Sequence, residues 1–124
     1  MGEIDRAYVS VALVLAVIGM LLGLYMGIAA DNTLLTVHVG LLLPGFVTLG
    51  IYGMLYRLWP AMKKSPMARV QFWLAIVGVA GLIVGAYFFA VNGSVPLAVI
   101  GSVIVILAAV LMVWLFVTAS QEAT

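Results

Sequence analysis

Apolar residues run along this chain in four long blocks, at about residues 7–30, 34–58, 70–91 and 95–118, separated by three short polar breaks. Each block reaches the roughly 20 residues that an α-helix needs to cross the hydrocarbon of a bilayer. None alternates apolar with polar positions, as a strand of a membrane barrel would, and a backbone in lipid must satisfy its own hydrogen bonds. The pattern therefore predicts an all-α integral membrane protein, a four-transmembrane-helix bundle forming one domain over residues 1–124.

The breaks carry their own signals. Asp31-Asn32-Thr33 and Asn92-Gly93-Ser94 read as tight turns whose polar side chains cap the following helix, with Pro96 suited to a first helical turn. The middle break, residues 59–66, holds Pro60 and Pro66, which stop one helix and start another. Ala29-Ala30 ahead of Asp31 resembles a signal-cleavage site, but the apolar run before it is longer than the core of about 7 to 15 residues in a secretory signal. It is read here as a membrane span.

Composition strengthens the membrane reading and narrows the chemistry. Apolar residues make up 67% and charged residues 7% of the chain, where a soluble domain would carry about a quarter charged. Absence of cysteine excludes disulfides, thiolate metal sites and a cysteine nucleophile. Arg6, Arg57, Lys63, Lys64 and Arg69 all fall on the side that holds both termini and the middle break, while the two short turns have no lysine or arginine. Both termini are thus expected in the cytoplasm. Tyr8, Tyr56, Trp59, Trp73 and Trp114 gather toward the same side and are expected to form an aromatic belt at the lipid interface.

Glycine supplies a second pattern. Gly19-x-x-x-Gly23-x-Tyr25 in the first span repeats as Gly81-x-x-x-Gly85-x-Tyr87 in the third, at an offset of 62, half of the 124 residues. This offset marks a candidate tandem two-helix repeat. Gly19, Gly23 and Gly27 share a helix face and open a groove for close helix packing, within the chain or between subunits. Homo-oligomerisation is expected, with the lipid bilayer as the other partner and no nucleic acid.

The second span is the least regular. Pro44 lacks an amide hydrogen and crowds the carbonyl of Gly40, so a bend is expected there. Beside it lies His38, the chain's single histidine, about one turn below the outer interface. At intervals of seven, His38, Gly45 and Tyr52 share one face, with Thr48 nearby, and a flat ligand would fit against Gly45. An imidazole in this setting needs a hydrogen-bond partner on a neighbouring helix, water, or a metal.

The stretch from His38 to Pro60 resembles the second transmembrane helix of subunit I in haem–copper oxidases of the cbb3-type and nitric-oxide-reductase branch, and of small four-span proteins related to it. In those, a pattern like H-x-H-x-N-x-x-G-W leads into G-x-x-Y-R-x-x-P. His38 and Gly45 match its beginning, and Gly53, Tyr56, Arg57 and Pro60 its end. Gly40 stands at the second histidine, Leu42 at the asparagine and Phe46 at the tryptophan. One ligand position is therefore empty.

That resemblance implies haem b as cofactor, with His38 as the ligand to haem iron, Gly45 packing beside the ring system, and Met26, at similar depth in the first span, as a second ligand, since histidine and methionine form a known haem pair. It implies a bacterial inner membrane. It also implies an assembly, because oxidase subunit I is built of twelve helices in three four-helix arcs, and a homotrimer of one-arc chains would restore that number. The alternative reading is a non-catalytic structural or assembly protein that has lost the cofactor, and a further one is a small channel or transporter. An ion path usually needs a buried carboxylate or a row of polar groups, whereas Asp31 lies in a turn and the other acids near the termini. Catalysis by the chain alone is not expected, since it has no paired carboxylates, no second histidine for copper and no nucleophile with a base. Arg57, Lys63, Lys64 and Arg69 lie opposite His38, where topology and contact with anionic lipid are their expected roles.

Overall fold

The computed structural model describes residues 4–122, and four helices long and apolar enough to cross a membrane dominate it. Helix α1 spans Ile4–Ala29, α2 Leu35–Leu58, α3 Met67–Asn92 and α4 Pro96–Glu122. A short 3-10 helix, Pro60–Lys64, fills the middle break. The chain is an integral membrane protein with an all-α fold.

Consecutive helices pack as hairpins. Helix α1 lies along α2, α3 lies along α4, and the hairpins meet mainly where Leu35–Gly40 of α2 rests on α3. The six helix ends that border the three breaks fall within a few residues of their expected positions, as long apolar blocks should allow.

Both short turns close, by different means. Gly93 adopts a left-handed φ of 71° after α3, and its N–H donates to the Phe89 carbonyl at 2.9 Å. Glycine takes that conformation without a Cβ penalty. After α1 the left-handed position is occupied by Ala30, at φ 53°. Here the Asp31 N–H donates back to the Met26 carbonyl at 3.1 Å, and the Asp31 side chain adds a second tie, its Oδ1 accepting from the Thr33 N–H at 3.0 Å and from the Thr33 hydroxyl at 2.5 Å. The expected capping of α2 by this turn is not what forms, since Leu34 holds the N-cap position without a side-chain bond. Asp31 is spent on its own turn.

Pro44 does more than bend α2. Leu41–Thr48 is a π-helix, with α-helix on either side. Proline cannot donate to the Gly40 carbonyl four residues back, and a π turn pairs each carbonyl with the amide five residues on. Gly45 then stands over the Gly40 oxygen, which a Cβ there would approach to 3.3 Å. The widened turn shifts the downstream face, so the protein-buried line runs Val37, Leu41, Gly45, Leu49, Gly53 and Tyr56.

Candidate functional site

His38 lies in the first α-helical turns of α2, half-buried, with its ring seated against Gly23 of α1. A Cβ on Gly23 would come within 2.7 Å of the His38 Cε1, so glycine is what admits the imidazole. The His38 Nδ1–H donates to the Gly19 carbonyl at 2.8 Å. That bond fixes the tautomer and leaves the lone pair on Nε2. Beside the ring, Met20, Val39, Leu42, Leu43, Phe46 and Val47 line an apolar groove of about 400 Å³ that opens outward from the bundle.

Of the other residues singled out for a cofactor, Gly45 is covered from α1 and Met26 is buried within the chain. Leu15 of α1 packs on the face of Gly45, its Cδ1 2.9 Å from where a Cβ would stand, and so occupies the place expected for a flat ligand. Met26 is buried on α1, three residues beyond Gly23, at 6% exposure. Gly27 continues the glycine face into open space. Among the described residues no group of three or more His, Cys, Asp and Glu side chains is placed to hold a metal ion. Arg57 is 19 residues along α2 from His38, or about 28 Å of helix, too far to meet a carboxylate of the same bound ring.

A second polar cluster, at the charged end, escaped the sequence reading. Tyr8 of α1 and Tyr56 of α2 are fully buried and stacked, with ring centroids 5.8 Å apart. Both hydroxyls donate to the Gln71 Oε1 of α3, at 2.5 and 3.1 Å, and the Gln71 Nε2–H donates to the Ala108 carbonyl of α4 at 3.3 Å. One amide thus ties all four helices. The two tyrosines are therefore core residues and not members of a lipid-facing belt. Trp73 and Trp114 are half exposed on the bundle surface, while Trp59 packs edge-on against Phe116.

Asp5 is the other surprise. Counted in the sequence only among the acids near the termini, it is 4% exposed at the start of α1. Lys63 Nζ stands 3.0 Å from its Oδ1 and Arg57 Nη1 3.3 Å from its Oδ2. Gly53 lets α1 approach, because a Cβ there would meet Tyr8, Val9 and the Asp5 carbonyl. Removing either partner of a buried pair leaves an uncompensated charge, so this cluster fixes how the middle break folds back on α1. Gln71 and Asp5 both sit near helix ends, where polar residues are ordinarily read as solvated. The signal available for Gln71 was an uncharged amide level with two tyrosines of the first hairpin.

Gly53, Tyr56 and Arg57, three positions of the oxidase-like pattern, all belong to this α1–α2–α3 junction. Around Gln71 the arrangement is chemically closed, since its donors and acceptors face one another. No protein-family model, no curated protein and no solved structure matches the chain.

Proposed function

We propose that the protein is a non-catalytic four-span structural or assembly component of the membrane, built on the plan of one helical arc of haem–copper oxidase subunit I, in which His38 locks a hairpin instead of ligating iron. The observation that carries this reading is the 2.8 Å bond from the His38 Nδ1–H to the Gly19 carbonyl, with the ring seated on Gly23. A histidine buried against a neighbouring helix needs a partner, and here it has one. Leu15 on Gly45 and the distance along α2 to Arg57 weigh the same way. On this reading the excess of Arg and Lys at one end places both termini in the cytoplasm of a bacterial cell, with the chain in the inner membrane.

A second reading has one observation of its own. A ring whose Nδ1–H is given to a backbone carbonyl is oriented with its Nε2 lone pair free, the support that metal-bound histidines characteristically have. His38 would then hold haem b at the apolar groove beside it, with the groove closed by another copy in a homo-oligomer, a trimer by analogy with the three arcs. When bound, haem would supply redox or gas-binding chemistry; this chain's own part is to orient one imidazole and exclude water around it.

An optical spectrum separates the two. Protein purified in mild detergent from haem-supplied cells is expected to show no Soret band, and His38→Ala no spectral change. A Soret band at one haem per chain or per trimer, lost in His38→Ala, would overturn the structural reading in favour of the second.

A further inference from the structure

The outer face of the first hairpin carries a furrow that changes character along its length. At the charged end a cleft of about 410 Å³ is walled by Arg6, Ser10 and Arg57. It shares Val9 and Met54 with a second, almost wholly apolar cleft of about 330 Å³ whose floor is Ala12 and Gly50. The small floor matters, because a Cβ on Gly50 would stand 3.8 Å from the Ala12 Cβ and every further atom would rise into the furrow. From Arg57 to Val47 the helix rises about 15 Å, which suits an extended acyl chain.

Charge at the mouth is unbalanced. Among the described residues Arg57 and Lys63 pair with Asp5, and Arg6 lines the same cleft as Asp5, so three cations meet one carboxylate there. Lys63 is mostly covered, but the Arg57 side chain stays 75% exposed despite its contact with Asp5, and Arg6 is exposed beside it. Two guanidiniums and the Ser10 hydroxyl thus border a cleft whose inner continuation accepts only hydrocarbon. Guanidinium is the side chain best matched to a phosphate.

We propose that this furrow is a binding site for one anionic phospholipid, with its phosphate between Arg6, Ser10 and Arg57 and an acyl chain lying over Ala12 and Gly50. The site is independent of what His38 does. It differs from a general preference for anionic membranes in requiring both a charged mouth and a low floor.

The test is lipid retention by the full chain. Protein reconstituted in vesicles of equal parts phosphatidylglycerol and phosphatidylcholine, extracted in mild detergent and weighed by native mass spectrometry, is expected to keep one phosphatidylglycerol per chain. Arg6→Gln should lower that occupancy about five-fold, the weight of one arginine near an anionic surface. Gly50→Leu should release the lipid while both arginines remain. Equal retention of the two lipids, or an Arg6→Gln protein that keeps phosphatidylglycerol unchanged, would overturn the site. Should Gly50→Leu lose its helical circular dichroism, Arg6→Gln still decides the matter, because the Asp5 pairs are made by Arg57 and Lys63 and remain when the Arg6 side chain is changed.

Discussion

The two hairpins carry the same glycine spacing and use it differently. In the second, α3 and α4 touch backbone to backbone: a Cβ on Gly85 would fall on the Ala98 N and Cα, and one on Gly101 on the Leu82 N. In the first, the corresponding glycines receive side chains, with Leu42 over Gly19 and the His38 ring over Gly23. Even the turns follow suit, Gly93 closing one through backbone bonds alone and Asp31 adding its carboxylate to the backbone bond that closes the other. A small-xxx-small spacing therefore specifies a groove, and the facing helix decides what enters it.

The sharpest way to break this distinction is to fill both grooves by one methyl. Backbone cannot rotate away, whereas an imidazole or a leucine can. Gly85→Ala is expected to cost about 3 kcal/mol, at the upper end of overpacking, and Gly23→Ala about 1 to 2 kcal/mol. Reversible unfolding in mixed micelles with increasing SDS measures both. Equal costs would show that the second hairpin can slide apart as readily as the first.

How much of this could be read beforehand depends on which helix supplies the information. The four spans and their ends were legible because some 20 consecutive apolar residues admit little else. Pro44 located the irregular turn, but one missing amide is compatible with a kink or with a π turn, and the packing of Leu15 on Gly45 belongs to the second. The glycines of α1 and α3 look alike because their partners are on other helices, although Gly101 opposite Gly81 and Ala98 opposite Gly85 already offered no bulk to fill a groove. His38 was legible as the residue in need of a partner, and the partner, a backbone carbonyl, leaves no trace in sequence. Gln71 and Asp5 were hidden for a different reason. Both lie within a turn or two of a helix end, so only the fold-back of Pro60–Lys64 and the crossing of α1 over α3 separate them from solvent.

A finer break isolates the His38 contact inside the first hairpin. His38→Ala should cost about 1 kcal/mol, the scale of an interhelical hydrogen bond in a membrane. In that background Gly23→Ala should become nearly free, because its added methyl then meets vacated space. The two changes share one contact and should not be additive, with a coupling of about 1 kcal/mol in the double-mutant cycle. Additive costs would mean that the ring leaves Gly23 in the membrane, and would return His38 to the list of exposed ligands.

The smallest effect lies in the turns, where the comparison becomes one of pH. Asp31 is fully exposed, and the hydroxyl and amide of Thr33 hold its carboxyl below the ordinary value of 3.8. A depressed folded-state value means that the turn's contribution is fully present above the unfolded carboxylate range and is lost as pH falls through the lower, folded value. The Thr33 amide, which donates to this carboxylate, should therefore report a titration with a midpoint below 3.8 in an NMR pH series in micelles. Asp31→Asn should abolish that titration. The Gly93 and Ser94 amides, bound to the Phe89 and Phe88 carbonyls, have no carboxylate to follow and should stay still over the same range. A Thr33 midpoint at or above 3.8 would mean that the Asp31 bonds are not kept, and that the first turn is held, like the second, by its backbone alone.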